Sequence, residues 1–145
     1  PGSFSPFSLG HQSVIKKALP LFDKIIISIG INSKKDQYFS IQRRMDWIKS
    51  VYANNKQIEI KQYKGLTVEL CKKEGASFIL RGLRDSNDFK FEKNIAQINK
   101  DLNPDIETIF IITPPELSHI SSSLIRDIIK NGGDVSKFLP KEIDI

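Results

Sequence analysis

Arg81 and Arg84 stand three apart around Gly82 in "FILRGLRD", directly after an apolar run. A pair of guanidinium groups at the exit of a strand offers planar, bidentate contacts to phosphate oxygens. Three serines, Ser121, Ser122 and Ser123, open the pattern "ISSSLIR", and His11 follows Gly10 in "PGSFSPFSLGH". Lys34 and Lys35 fall in "NSKKD" after another apolar run. Each of these groups donates to, or complements the charge of, an anion, and the natural inference is a site for several phosphates.

Every one of them also has a plainer reading. A glycine in "PGSF" or "LGH" is by default a turn residue, a lysine in a surface loop is most often solvated, and a serine run serves as a helix N-cap. Arg126 tips the serine run toward phosphate: it is expected in the first turn of the last helix, where the helix dipole disfavours a cation, and a bound anion would remove that conflict. His11, at the start of the first helix beside the cationic loops, is placed to donate to a phosphate oxygen. The other histidine, His119, is far away in sequence. Neither has the spacing of a metal ligand set, so no protein-held metal is expected.

Composition bounds these readings. The chain has 145 residues, about one domain's worth, and can bury a core without metal or disulfide. Its 22 Lys and Arg against 17 Asp and Glu leave a net charge of +5, spread along the chain. Anionic small molecules fit that balance, whereas the basic stripe and stacked aromatics of a nucleic-acid binder are missing. The single cysteine, Cys71, lies in "VELCKKEG" and is expected on the apolar face of a helix as a buried thiol. The runs "IIISIGI" and "IFIIT" are far shorter than the roughly 20 residues of a membrane span, so a cytoplasmic location without membrane attachment is expected.

The elements that must position these residues alternate. "GHQSVIKKALPLF" reads as a helix that Pro20 ends or kinks. "KIIISIG" reads as a strand covered on both faces, "SIQRRMDWIKSVYANN" as a helix capped by Ser40, and "QIEIKQY" as a strand. "LTVELCKKEG" is a short helix closed by Gly75, "SFILRG" a strand, "NDFKFEKNIAQINKDL" a helix, "ETIFIIT" a strand and "SSSLIRDIIKNGG" a last helix. Repeated βα units predict an α/β fold with one parallel sheet flanked by helices, in a single domain over 1–145. Ligands of such sheets bind at the carboxyl ends of the strands, where the arginines, lysines and serines fall.

The quoted motifs resemble a known family. "PGSFSPFSLGH" is similar to the PGSFDPxxxGH opening of the nucleotidyltransferase superfamily with the T/HxGH signature, and "ISSSLIR" to its ISSSxxR signature. "NSKKDQYFSIQRR", "GLTVELCKKEGA", "FILRGLRDSNDFKFE" and "NGGDVSKFLP" resemble phosphopantetheine adenylyltransferases, in order and over essentially the whole chain. The resemblance implies a Rossmann-like nucleotidyltransferase fold and the transfer of an adenylyl group from ATP to 4′-phosphopantetheine, giving dephospho-coenzyme A and pyrophosphate. It further implies a homohexamer, a dimer of trimers, with coenzyme A as feedback inhibitor. Family members carry a short apolar strand before the PG pair, so a strand preceding Pro1 is expected to be missing from the sequence.

Carried over residue by residue, the resemblance gives His11 the stabilisation of charge at the α-phosphate. Lys35 would hold the acceptor phosphate and assist catalysis, and Arg81 would be the second contact to that phosphate. Ser3 would touch acceptor and nucleotide, Phe4 the nucleotide, and Thr67 the pantetheine arm. Gly82, Leu83, Arg84 and Glu92 would bind ATP, as would Leu117, Ser118, His119, Ile120, Ser121, Ser122 and Ser123. Mg²⁺ would arrive with the nucleotide. The chain departs from the pattern at Ser5, where the family has Asp, at Ser8 and Leu9, and at Asp36, where "KKP" reads "KKD". Leu117 and His119 stand where aromatics are usual. Two alternatives follow: a nucleotidyltransferase for another phosphorylated acceptor, or a nucleotide-binding module weakened in catalysis, for which Ser5 is the hint.

Overall fold

A computed structural model describes residues 1–31 and 38–145, among which five α-helices alternate with four strands. Helix α1 (Leu9–Ala18) begins behind Ser8 and tightens into a 3-10 turn over Leu19–Leu21, because Pro20 has no N–H to continue the ladder. Helix α2 (Ile41–Val51) starts at Ser40, whose hydroxyl accepts from the Arg43 N–H at 3.2 Å, the usual service of an N-cap serine. Helix α3 (Thr67–Glu74) stops at Gly75, which takes a left-handed conformation at φ 64° that a side chain would strain. Helix α4 (Ser86–Leu102) is capped by the Asp85 carboxylate, and α5 (Ser122–Lys130) by the Ser121 hydroxyl.

Strands β1 (Ile25–Gly30) and β2 (Ile58–Tyr63) pair in parallel, with Ile25 opposite Ile58 and Gly30 opposite Tyr63. Strands β3 (Phe78–Leu83) and β4 (Glu107–Ile112) do the same, with Phe78 opposite Glu107. The alternation, the parallel sense and the flanking helices are those the sequence predicts. The four strands form two separate pairs, because among the described residues no strand lies between β1 and β3. Along its second edge, among the described residues, β1 meets Gly2 in a single parallel bridge opposite Ile29, with the Gly2 N–H on the Ser28 carbonyl at 2.9 Å. Below that bridge Ile25–Ser28 and Phe78–Gly82 face a shared cavity of about 1060 Å³.

The core divides the same way. Phe7, Ile27, Ile29, Trp47, Ile48 and Ile125 belong to a large cluster built on β1 and closed by Leu139 and Ile143 near the C-terminus. Val68, Cys71, Ile79 and Ile106 form a smaller one where α3 packs on β3. Cys71 is buried there as a free thiol, as its place in the α3 pattern predicts. Apolar burial in these clusters is the main force holding each helix to its strand pair.

Candidate active site

The cavity between the strand pairs runs along Ile25–Ser28 of β1 and Phe78–Gly82 of β3, and most of the residues that the sequence singles out line it. Ser3, Phe4 and His11 come from the first loop and α1, Thr67 from the start of α3, and Arg81, Gly82 and Arg84 from the end of β3. Glu92 reaches it from α4, and Ile120, Ser121, Ser122 and Ser123 from the approach to α5. Leu83 is buried in the core at 8 % exposure and is not among the lining residues. Neither Leu117, Ser118 nor His119 is among the lining residues. Lys35 lies outside the described residues.

His11 is the most tightly specified of these side chains. It occupies the third position of α1, and its Nδ1 accepts the Ser8 backbone N–H at 3.0 Å, with the Ser8 hydroxyl also 3.0 Å away. An N–H can only be met by an unprotonated ring nitrogen, so the proton of the neutral ring sits on Nε2. Burial, reinforced by the charges of Arg84 and Arg81, pushes its pKa from 6.5 down to about 4, because both effects disfavour the charged ring. Phe7 stacks on the ring at 5.5 Å between centroids and Phe4 meets it edge-on at 5.1 Å. The result is a fixed, uncharged ring with a single N–H left to donate, on Nε2.

The two arginines are held by carboxylates. Arg81 grips Glu92 with both Nε, at 2.7 Å from Oε2, and Nη2, while its Nη1 donates to the Pro1 carbonyl at 2.6 Å. Arg84 does the same to Asp88, four residues ahead, at 2.9 and 3.0 Å. Glu92 is 9 % exposed, and both of its carboxylate oxygens accept from Arg81. Gly82 between them is required by packing: a Cβ there would sit 2.7 Å from Val14 Cγ2 of α1.

The serine run divides its work. Ser121 caps α5 by accepting from the Leu124 N–H, Ser122 donates to the Pro6 carbonyl at 2.8 Å, and Ser123 receives Arg126 Nη2 at 3.1 Å. Arg126 corrects one expectation. The helix begins at Ser122, which puts Arg126 in its second turn, and its Nη1 donates to the Ser5 carbonyl at 2.6 Å. The dipole conflict that argued for an anion is therefore relieved inside the protein.

Sequence reasoning passed over Asp88, Ser8 and Arg44. Two of them had a local signal, the Arg84–Asp88 spacing of four and the Ser8–His11 spacing of three typical of a reciprocal cap. Arg44 had none, since its partner Ser3 is 41 residues away.

A chain of parallel βα units whose strand ends gather an uncharged imidazole donor, two braced arginines and a serine-capped helix is built as a nucleotidyltransferase, and the cytidylyltransferase-like family matches residues 1–128. Among curated proteins, a phosphopantetheine adenylyltransferase of Cytophaga hutchinsonii is 52% identical over 143 residues, covering 99% of this chain and 95% of its own. That of Flavobacterium psychrophilum is 50% identical over 145 residues, and that of Caldanaerobacter subterraneus subsp. tengcongensis 44% over 140, covering 95% and 88% of those proteins and 100% and 97% of this one. The chain belongs to the phosphopantetheine adenylyltransferase family.

Proposed function

We propose that the chain transfers the adenylyl group of ATP to 4′-phosphopantetheine, releasing pyrophosphate and giving dephospho-coenzyme A in coenzyme A synthesis. An oxygen of the acceptor phosphate forms a bond to the α-phosphorus while the bond to the bridging oxygen of pyrophosphate breaks, and pyrophosphate leaves with the electron pair. The nucleophile is already an oxyanion, so the protein's task is to bring two anions together and stabilise charge at the α-phosphate. The observation that carries this reading is the tautomer of His11: a neutral Nε2–H donor, locked by Ser8, on a cavity shared with Arg81 and Arg84. In it Arg81, with Lys35, would receive the acceptor phosphate. Arg84 and the start of α5 would receive the nucleotide, and Thr67 the pantetheine arm.

Mg²⁺ fits as a companion of the nucleotide, where it would neutralise phosphate charge. Of the carboxylates that line the cavity, Glu92 and Asp88 are each committed to an arginine and Glu74 to Lys61, which favours the phosphates themselves as its oxygen ligands. We also propose an apolar strand leading into Pro1 between β1 and β3, supported by the parallel Gly2–Ile29 bridge and the two strand edges that face the cavity. A hexamer is supported by apolar side chains left on the exterior, among them Phe91 at 67 %, Ile98 at 58 % and Ile112 at 71 % exposure, since such surface marks contact with other protein. A cytoplasmic place goes with this metabolic role, and among the described residues no helix is long and apolar enough to cross a membrane. Coenzyme A, which shares the acceptor's arm and the product's nucleotide, would compete for the same cavity.

The test follows pyrophosphate release from ATP and Mg²⁺ with 4′-phosphopantetheine, using pantetheine as the acceptor that lacks the phosphate. Release with the phosphorylated acceptor alone, lost in His11→Ala, is expected. ATP binding without release would replace this reading with a nucleotide-binding module weakened in catalysis. Release with a different phosphorylated acceptor only would replace the substrate.

A further inference from the structure

Phe4 is the one non-glycine residue with a left-handed backbone among those described, at φ 47°. An aromatic residue persists there only where its surroundings over-determine it. The carbonyl before it and the carbonyl after it are each taken by an arginine from a different helix. Arg44 of α2 donates from Nη1 to the Ser3 carbonyl at 2.6 Å, and Arg126 of α5 donates from Nη1 to the Ser5 carbonyl at 2.6 Å.

Neither contact is incidental. Arg44 is 1 % exposed, and its Nε also reaches the Ser40 carbonyl at 3.3 Å. Burying a guanidinium is costly, and an apolar side chain of similar volume would pack α2 at least as well. What only a guanidinium supplies at that depth is several donors in a fixed fork. The bond that crosses from α2 to the first loop is the one to Ser3. On the other side, Ser122 adds its own bond to the Pro6 carbonyl, so α5 holds two successive carbonyls of the turn.

The turn reports directly to the site. The Phe4 ring lies over Gly2, where an added Cβ would be only 2.9 Å from a ring carbon, and it meets the His11 ring edge-on at 5.1 Å. Releasing either carbonyl lets the backbone at Phe4 relax, which moves the ring and with it the imidazole. We propose that Arg44 and Arg126 are positioning residues for adenylyl transfer: they clamp the Ser3 and Ser5 carbonyls and so hold the left-handed Phe4 turn that sets Ser3, Phe4 and His11. This rests on the adenylyl-transfer reading for its kinetics, though not for its geometry.

The experiment compares Arg44→Lys, Arg126→Lys and the double variant with the wild-type chain, well below their melting temperatures. Each single substitution is expected to lower kcat about tenfold to a hundredfold while KM for ATP stays within about threefold, as for a misplaced group that binds nothing itself. The double variant should lose much less than the product of the two, since both act on one turn. The His11 imidazole resonances should shift in each folded variant. A purely structural role would lower the melting temperature and leave kcat and those resonances in place, and that result overturns the proposal. So do losses that multiply independently or that appear in KM alone. If Arg44→Lys does not fold, Arg126→Lys, on the half-buried side, decides by the same criteria. A wild-type chain that releases no pyrophosphate would sink the reaction itself, and the resonances would still decide the clamp.

Discussion

Gly82→Ala adds one methyl group where α1 crosses β3. The new Cβ would lie 2.7 Å from Val14 Cγ2 and 3.6 Å from Val14 Cβ and Cγ1. Carbon contacts are most favourable at about 3.5–4.0 Å, so close to an ångström of overlap must be relieved. Val14 is only 8 % exposed. Being β-branched, it has a stiff χ1 on a helix, so a change of rotamer is resisted even where the side chain borders the cavity. The relief therefore comes from α1 moving off β3. Overpacking of this kind costs about 1–3 kcal/mol, which in a domain of this size lowers Tm by about 2–12 °C. His11 sits three residues before Val14 on α1. The same displacement therefore carries the imidazole away from Arg81 and Arg84, and kcat should fall about tenfold. Val14→Ala removes the two methyls and costs about 1–2 kcal/mol alone. Combined with Gly82→Ala it should recover at least about 1 kcal/mol relative to the sum of the singles. Urea unfolding of the four proteins measures this. A Gly82→Ala chain within about 0.5 kcal/mol of wild type, or a double variant that simply adds the two losses, would refute the reasoning.

Other outcomes follow from the same geometry. His11 binds fewer protons folded than unfolded between about pH 4 and its ordinary 6.5. Its contribution to stability is therefore complete above its ordinary value and is lost as pH falls toward the folded one, by up to about 3 kcal/mol. Urea midpoints taken from neutral pH down toward the folded pKa should show this slope in the wild type and a flatter one in His11→Gln, and equal slopes would contradict the buried neutral ring. Glu92→Gln removes one of the two acceptors that aim Arg81. It should raise KM for the acceptor about tenfold and cost about 2 kcal/mol of stability, and an unchanged acceptor KM would show that Arg81 needs no brace. Burial pushes the Cys71 thiol above its usual 9.0. Iodoacetamide should then label the native chain only as fast as it opens, and rapid labelling would contradict the packed α3–β3 interface.

The βα alternation was legible because each element satisfies itself locally. Ser40 and Asp85 cap the helices that follow them, Gly75 and Pro20 end others, and the β-branched run of β1 suits a strand covered on both faces. The order of Arg81, Gly82 and Arg84 at a strand exit, the serines before α5 and His11 after Gly10 are likewise sequence facts, and with the signatures they carry the family. What one chain of letters could not convey was whom these groups would hold. That Glu92 turns inward to Arg81, that Arg126 gives a donor to the Ser5 carbonyl, and that Arg44 is buried to reach Ser3 all depend on contacts across 11 to 121 residues. Such contacts have no periodicity to read, because they arise from helices meeting a loop in space. Sequence alone thus determined the elements and the chemistry at their ends. Tertiary structure decided which cations are braced and which face the ligand, and through Ser8 it fixed which nitrogen of His11 carries the proton.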